Sequence, residues 1–228
     1  MRVLAIDTAL GACACAVLDT DQGGIVASES LPMVRGHAEA LMPLVSRVMV
    51  IANLAFVEID RIAVTVGPGS FTGLRVGVSA ARAIALAAGR PAVGLTTLTA
   101  FAAPHIAGDD TTPLMAVIDA RNNNVFMQLF GTGGRSLISP RLISIPEAVR
   151  AAAGGAARLV GSAADAIAAA WPASQPLPTL VDQQSAPDIE WVARLGAAAT
   201  ADGSAVPKPL YLRAPDAQPQ DAARLPRR

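Results

Sequence analysis

The 228-residue sequence contains few of the side chains on which metal and nucleophile chemistry depends. Its only histidines, His37 and His105, fall in separate predicted elements, whereas a hydrolytic zinc site normally needs three protein ligands. Its only cysteines, Cys13 and Cys15, are two residues apart, so they point to one face of a strand and make a poor disulfide. No CxxC or other metal spacing occurs. We therefore expect two small buried thiols, no metal site and no catalytic residues.

Charge is also scarce, and it is balanced. The chain has 18 basic and 18 acidic residues, and Lys208 is its single lysine. A net charge of zero does not indicate direct binding to nucleic acid or to a membrane surface. With 52% hydrophobic residues the chain can build a sizeable core, and a surface so poor in charge exposes apolar atoms, which favours a protein partner.

The N-terminal residues alternate in polarity and include Asp7, which is not typical of a signal peptide. No apolar run approaches the roughly 20 residues that a membrane-spanning helix needs. The sequence therefore predicts a cytoplasmic protein without a membrane partner.

Hydrophobic periodicity predicts one compact α/β protein made of two related lobes. The predicted strands lie at 2–7, 12–19, 23–31, 61–66, 91–95, 113–120, 124–131 and 157–162, and the main helices at 37–54, 71–89 and 186–201. We predict an N-terminal βββαβα lobe at 1–104, a smaller C-terminal lobe at 105–213, and a disordered tail at 214–228. Two such lobes are the layout of the actin, sugar-kinase and chaperone-ATPase (ASKHA) superfamily, with a generic α/β sandwich as the alternative.

Two predicted hairpin turns place aspartates where a nucleotide would lie in such a fold. The stretch AIDTALG contains Asp7 and Thr8, and VIDARNN contains Asp119. An aspartate at the end of a strand can hold Mg²⁺ or orient water. However, the first turn contains one glycine and the second contains none. At any other residue the Cβ keeps the backbone N–H groups away from a phosphate. Both carboxylates can equally cap strands and turns, so the two interpretations stay open.

The stretch VTVGPGSFTGLR joins a predicted strand to a predicted helix through Gly67, Gly69 and Ser70. A glycine turn that opens a helix can bind an anion. The stretch lacks the lysine of a P-loop and matches neither common phosphate motif. Ser70 can equally be a helix N-cap, and the glycines can simply allow the turn. The sequence thus leaves open a phosphate cradle or a turn that begins a helix.

Both N-terminal helices are apolar on more than one side. In 37–54 one apolar stripe is Leu41, Leu44, Val48 and Ile51, and a second is Met42, Val45, Met49 and Ala52. The helix at 71–89 is similar, with only Arg75 and Arg82 charged. A helix that is apolar all round is buried all round. We predict an intermolecular helix–helix interface, the alternative being that other parts of this chain cover both stripes. The predicted interface residues are Met42, Val45, Met49, Phe71, Leu74, Arg75, Val78 and Arg82.

Five stretches, RVLAIDTA, HAEALMPLV, GPGSFTGLRVGVSAARAIA, DARNNNVF and PLYLR, together resemble the bacterial TsaB (YeaZ) family. The resemblance covers most of residues 1–130 and returns at 207–213. It implies an actin-like, two-lobed, non-catalytic paralogue of TsaD that works in making N6-threonylcarbamoyladenosine in tRNAs reading ANN codons. The implied partners are a TsaD-like catalytic subunit, a TsaE-like ATPase and a second copy of the chain, with tRNA only indirectly. It implies no cofactor for the isolated chain, and ATP or ADP with Mg²⁺ at the level of the complex.

The resemblance also implies that a metal site is missing. TsaD carries an H-x-x-x-H pair after the strand that follows the shared Gly-Pro-Gly loop, and here that place has Thr97 and Phe101. The chain also departs from the TsaB pattern after DAR, where three asparagines replace a charged, glycine-containing turn. The alternative function is an enzyme, either a glycoprotease-like metallopeptidase or an ATP-binding phosphotransferase.

Overall fold

The computed structural model describes residues 1–107, 111–153, 158–200 and 206–213, and the predicted tail at 214–228 lies outside these ranges. The strands are β1 Arg2–Asp7, β2 Ala12–Asp19, β3 Gly24–Pro32, β4 Arg61–Gly67, β5 Ala92–Thr96, β6 Leu114–Asp119, β7 Asn124–Phe130, β8 Ser136–Ser144, β9 Arg158–Val160 and β10 Leu180–Asp182. The helices are α1 His37–Ile51, α2 Phe71–Ala88, α3 Thr97–Ile106, α4 Ile145–Ala153, α5 Ala164–Ala169 and α6 Ile189–Ala198, with short 3₁₀ turns at Phe56–Glu58 and Thr132–Gly134.

The strands form two five-stranded sheets of matching topology. The first has the order β3-β2-β1-β4-β5 and the second β8-β7-β6-β9-β10. In each sheet an antiparallel three-strand meander is extended by two parallel strands. This confirms the predicted two-lobed ASKHA-type fold with a reduced second lobe. The reduction is visible in β9 and β10, which have three residues each, and β10 was not predicted because so short a strand carries no periodicity.

The central strand β1 is buried on both faces, which explains its continuous apolar run. Val3 and Ala5 face one side, where they pack against α6. Leu4 and Ile6 face the other side, under α1 and α2. Helix α6 belongs to the predicted second lobe but packs on the first sheet, and the predicted boundary at residue 104 falls inside α3. The two lobes are therefore not consecutive segments of the chain.

Helices α1 and α2 cover the remaining face of the first sheet through wide buried arcs. The buried apolar residues are Leu41, Leu44, Val45, Val48 and Met49 in α1, Ala52 directly after it, and Leu74, Val78, Ala81, Ile84 and Ala85 in α2. Four predicted interface residues, Val45, Met49, Leu74 and Val78, are thus part of the chain's own core and not of its surface. Conversely Ile51, predicted to cover the sheet, is 64% exposed. Covering the sheet buries a wider arc of α1 than the first stripe alone, so most residues of the second stripe are buried as well.

The buried arc of α1 gives a prediction with a neighbouring control. Val45→Glu places a carboxylate at a fully buried position among apolar side chains, so we expect a loss of more than about 4 kcal/mol of stability. Ser46→Glu, on the adjacent exposed position, should change stability by less than about 0.5 kcal/mol. Thermal unfolding followed by circular dichroism measures both. A folded Val45→Glu protein with unchanged melting temperature would contradict this assignment of the core.

Candidate functional site

The glycine loop after β4 leads into α2 through a conventional N-cap. The Ser70 side chain accepts a hydrogen bond from the Gly73 backbone N–H at 3.3 Å. The Ser70 N–H itself donates to the carbonyl oxygen of Ala9 at 2.8 Å, in the turn between β1 and β2. One of the donors that a phosphate would require is therefore already used within the chain.

The same turn fills the space that the glycines leave open. A Cβ at Gly69 would overlap the carbonyl oxygen of Ala9, and a Cβ at Gly73 would overlap that of Thr8. At Gly77 it would overlap the Thr8 hydroxyl, which donates to the carbonyl oxygen of Gly73 at 2.7 Å. The glycines thus admit the chain's own Thr8–Ala9 backbone. Of the two interpretations of this loop, the turn that begins a helix is the one the geometry supports.

Asp7 is fully buried beneath this contact. Its Oδ1 accepts hydrogen bonds from the Thr65 hydroxyl and, at 3.1 Å, from the Ala9 N–H. Its Oδ2 is buried without a hydrogen-bond partner among the described residues. Burial raises the pKa of Asp7 to about 6, although the two hydrogen bonds and the nearby His37 oppose the rise. Asp7 is therefore a structural carboxylate that joins β1, β4 and the turn.

A cleft of about 660 Å³ lies between the lobes. Of the predicted nucleotide contacts, Gly69, Ser70 and Asp119 line it, whereas Asp7 and Thr8 are shielded from solvent by their own chain. The remaining residue, Gly67, has a left-handed φ of 115° and packs against the carbonyl oxygen of Leu210. The six predicted residues therefore do not form one site.

The backbone conformation of the turn between β6 and β7 favours asparagine. Arg121, Asn122 and Asn123 all have positive φ, between 51° and 61°. Asparagine tolerates this left-handed region better than most residues. The carboxylate of Asp119 accepts a hydrogen bond from the Arg121 N–H at 2.8 Å, which is the capping role considered for it. Arg121 also lines the cleft, and no sequence pattern singled it out.

The place at which the resemblance implies a histidine pair in TsaD is tightly packed in this chain. Thr97 and Phe101 are both fully buried on α3. The two histidines have local partners, since the His37 Nε2 lies 3.2 Å from the Leu10 carbonyl oxygen and the His105 Nε2 lies 3.0 Å from Asp182. Within the described ranges no three His, Cys, Asp or Glu side chains come together as a metal site would require.

Both thiols are free and buried, as predicted. Burial, with a smaller contribution from Asp7, raises the pKa of Cys13 to about 11. Burial raises the pKa of Cys15 as well. Both side chains are therefore protonated at neutral pH and pack as small apolar groups under α1 and α2.

The surface of α1 and α2 that faces away from the sheet is rich in apolar side chains. We define the outer face by Met42, Val50 and Ile51 of α1 and Phe71, Arg75, Arg82 and Leu86 of α2. Val50 is 75% exposed, Leu86 is 85% exposed and Met42 is 48% exposed. The 18 residues of α2 have a mean hydropathy of 1.3, so length and composition alone would let this helix cross a membrane, although it packs against the first sheet and a third of it is buried. Four of the eight predicted interface residues, Met42, Phe71, Arg75 and Arg82, lie on this face.

Residues 206–213 connect the outer face to the lobe junction. The Leu210 N–H donates to the carbonyl oxygen of Val66 at 2.7 Å, and the Tyr211 hydroxyl accepts from the Arg75 Nε at 3.1 Å. The Arg75 guanidinium lies 3.8 Å from the centre of the Phe71 ring. The sequence analysis used PLYLR only for the family resemblance and did not predict this cluster, because Arg75 and Tyr211 are separated by 136 positions.

The contact between the Thr8–Ala9 turn and α2 predicts whether replacing a glycine of α2 stabilises or destabilises the fold. In an open helix Gly73→Ala would stabilise by about 1 kcal/mol. Here the added Cβ meets the Thr8 carbonyl oxygen, so we expect destabilisation by about 2–3 kcal/mol. Gly24→Ala, where no atom lies within 4 Å of the added Cβ, is the control and should be nearly neutral. Urea unfolding measures the stability of both variants. A stabilised Gly73→Ala protein would show that Thr8 does not fill the space beside Gly73.

The raised pKa of Asp7 predicts that the stability of the fold depends on pH. Because its folded pKa of about 6 exceeds its ordinary value of 3.8, the folded state binds the proton more tightly than the unfolded state. The ionised carboxylate therefore destabilises the fold above about pH 6, and this effect disappears as the pH falls toward about 4. Asp7→Asn, which keeps the acceptor oxygen, should gain stability relative to wild type by about 2–3 kcal/mol between about pH 4 and about pH 7.5.

Thermal unfolding of Asp7→Asn and wild type across this pH range tests the prediction, with Asp165→Asn on an exposed position as the control. A difference in melting temperature that does not vary with pH would mean that Asp7 titrates at an ordinary value in the folded state.

Comparison with known proteins supports one assignment. A family model described as TsaD, tRNA N6-adenosine threonylcarbamoyltransferase, matches residues 15–175. The tRNA threonylcarbamoyladenosine biosynthesis protein TsaB of Escherichia coli (strain K12) is 35% identical over 126 residues, which are 55% of this chain and 53% of that protein. This chain thus spans about half the length of that relative. An uncharacterized protein of Mycobacterium tuberculosis is 32% identical over 222 residues, 95% of this chain and 94% of that protein.

A solved structure agrees with these sequence matches. YeaZ from Pseudomonas aeruginosa superposes with a TM-score of 0.77 at 26% identity, covering 92% of this chain and 99% of that one. The family model matches well over half of the chain, and the YeaZ structure shares its whole two-lobed architecture. This chain therefore belongs to the TsaB/YeaZ family, whose named members are tRNA threonylcarbamoyladenosine biosynthesis proteins.

Proposed function

We propose that this chain is a non-catalytic subunit that binds and activates a TsaD-type transferase, which makes N6-threonylcarbamoyladenosine in tRNAs reading ANN codons. The observation that carries the proposal is the outer face of α1 and α2. There the two helices expose large aliphatic side chains to water, among them Val50 of α1 and Leu86 of α2. An exposed face that is rich in large apolar side chains is characteristic of a protein interface.

The exposed aliphatic residues with the largest exposed fractions supply only part of the free energy that docking requires. Covering Val50, Ile51 and Leu86 contributes about 3–7 kcal/mol when about 1.5–3 kcal/mol per side chain is scaled to their exposed fractions. Association costs about 4–15 kcal/mol in lost freedom. These three residues therefore offset only the lower part of that cost, and a stable complex needs the whole length of the two helices, including Met42 and Phe71.

The glycine loop also supports an accessory, non-catalytic role. The Thr8–Ala9 backbone fills the space beside its glycines, and the Ser70 N–H donates to the Ala9 carbonyl oxygen, so this donor is not free for a phosphate. Thr97 and Phe101 are packed where the TsaD histidines would stand. In this proposal the partner supplies the reacting groups, and this chain supplies the surface that holds the partner.

The proposed assembly includes further components. A TsaE-like ATPase joins the complex of this chain with the TsaD-type subunit, and ATP or ADP with Mg²⁺ acts at the level of that complex. In the absence of the TsaD-type subunit a second copy of this chain occupies the outer face. tRNA is reached only through the partner, and the assembly works in the cytoplasm.

Charge placed on the outer face tests the proposal. The double variant Val50→Glu with Leu86→Glu should reduce co-purification with a co-expressed TsaD-type subunit at least about 100-fold, because two apolar contacts are replaced by charges that must lose water. Leu177→Glu, at a 77% exposed position in the second lobe, is the matched control and should bind like wild type.

Because all three positions are exposed, each variant should keep the melting temperature of the wild type. The proposal fails if the folded double variant still binds the TsaD-type subunit with wild-type affinity.

A further inference from the structure

Helices α3 and α6 each cover the sheet of the other half of the chain. Helix α3 follows β5 of the first sheet, yet its buried side chains Leu98, Phe101 and Ala102 pack against the second sheet. Helix α6 follows β10 of the second sheet, yet Ile189 and Val192 pack against the first sheet. Each sheet is therefore covered on one face by a helix that follows the other sheet.

The C-terminal end of each exchanged helix is bound by an arginine of the sheet that the helix covers. Arg61, the first residue of β4, donates from Nη1 to the carbonyl oxygens of Gly196 at 2.8 Å and Ala197 at 3.2 Å, in the last turn of α6. Arg158, the first residue of β9, donates from Nη1 to the His105 carbonyl oxygen at 3.1 Å, in the last turn of α3. The last carbonyl groups of a helix have no partner within the helix and carry partial negative charge, so a guanidinium stabilises them.

The two arginines occupy equivalent positions in the two sheets. Strand β4 runs parallel to the central strand β1, with Arg61 opposite Val3, and β9 runs parallel to the central strand β6, with Arg158 opposite Leu114. Arg61 is half-buried and Arg158 is buried, and Arg158 also donates from Nη2 to the Thr112 carbonyl oxygen at 2.6 Å. The same contact between an arginine and a helix end thus occurs twice, once in each direction across the lobe junction.

Helix α3 contributes to the cores of both lobes. Ala100 belongs to the apolar cluster that α6 forms with the first sheet, whereas Leu98 and Phe101 belong to the cluster on the second sheet. All three side chains are fully buried. Unfolding of either lobe alone would therefore expose apolar side chains of the other, and this exposure is unfavourable.

We propose that the exchanged helices and their two arginines join the lobes into one cooperative folding unit, through which a partner on the outer face of the first lobe also stabilises the second lobe. Arg61 and Arg158 are the positioning residues of this coupling. The coupling itself follows from the contacts of α3 and α6, whereas the response to a partner rests on the proposed function.

Two tryptophans report on the two lobes separately. Trp171 packs against the core of the second sheet, and Trp191 lies on α6, which covers the first sheet. In Trp171→Phe and Trp191→Phe proteins, urea unfolding is followed by the fluorescence of the remaining tryptophan and by far-UV circular dichroism. Each fluorescence transition should coincide with the dichroism transition of the same protein. Separate transitions would overturn the inference.

The arginine contacts are tested in the same two single-tryptophan proteins. Arg61→Met and Arg158→Met remove the hydrogen bonds to the helix ends and keep an apolar side chain. Each should lower the urea midpoint by about 0.5–1 M, and by the same amount at Trp171 and at Trp191. Arg141→Met, at an exposed position of β8, is the matched control and should leave both midpoints unchanged. A shift confined to one tryptophan would show that the arginine acts only locally, which contradicts the coupling.

Hydrogen exchange of the unsubstituted chain tests the response to the partner. With the TsaD-type subunit at a free concentration of about 100 times its Kd, the backbone amides of β1 and of β6 should both exchange about 100-fold more slowly. The factor is shared because both strands exchange through the same global opening. Slowing in β1 without slowing in β6 would overturn the inference.

The Val50→Glu, Leu86→Glu protein separates this inference from the docking function. In the presence of the TsaD-type subunit its β1 and β6 amides should exchange as in the free chain, while its urea transitions should still coincide. If the double variant loses the partner but the single-tryptophan proteins unfold in separate transitions, the docking function stands and the coupling is wrong. If the transitions coincide but the double variant keeps the partner, the coupling stands and the docking surface is wrong.

Discussion

The backbone of Thr8 and Ala9 lies so close to the glycine loop and the first two turns of α2 that no Cβ fits at Gly69, Gly73 or Gly77. This contact pins the start of α2 to the end of β1, and the buried Asp7 carboxylate holds it from below. With the helix fixed in this way, its inner side packs on the first sheet and its outer side is presented to solvent. In the proposed function this arrangement holds α2 in the position from which it docks, although the loop before it has the composition of a phosphate-binding loop.

The two lobes share one topology but differ in how the turn after the central strand is packed. Thr8 and Ala9 of the turn after β1 pack against the glycine loop and α2, although Leu10 and Gly11 of that turn line the cleft, as does Arg121 of the turn after β6. Thr97 and Phe101 are fully buried on α3, so neither side chain is accessible to solvent. In the proposed function the chain keeps the fold of its family and acts through its surface.

Much of the fold was predictable from the sequence, because strand alternation and helical periodicity are local and strong in β1, β2, α1 and α2. The lobe to which α6 belongs was not predictable, since nothing local tells a helix which sheet it will cover. The core and exposed sides of α1 were confused for a related reason: Val45 and Val50 are the same residue type, and only the position of the sheet makes one core and the other surface. The glycines were visible in the sequence, but the approach of Thr8, more than sixty positions away, was not.

The central claim is that partners meet this chain on the outer face of α1 and α2 and not in the cleft between the lobes. Hydroxyl-radical footprinting tests it directly, because the method reports the solvent exposure of individual side chains in the intact chain with and without the TsaD-type subunit. The account predicts that Met42 and Leu86 become protected in the complex, while Leu137 and Leu177 of the second lobe keep their reactivity. Unchanged reactivity of Met42 and Leu86, together with protection of Phe126 in the cleft, would contradict it.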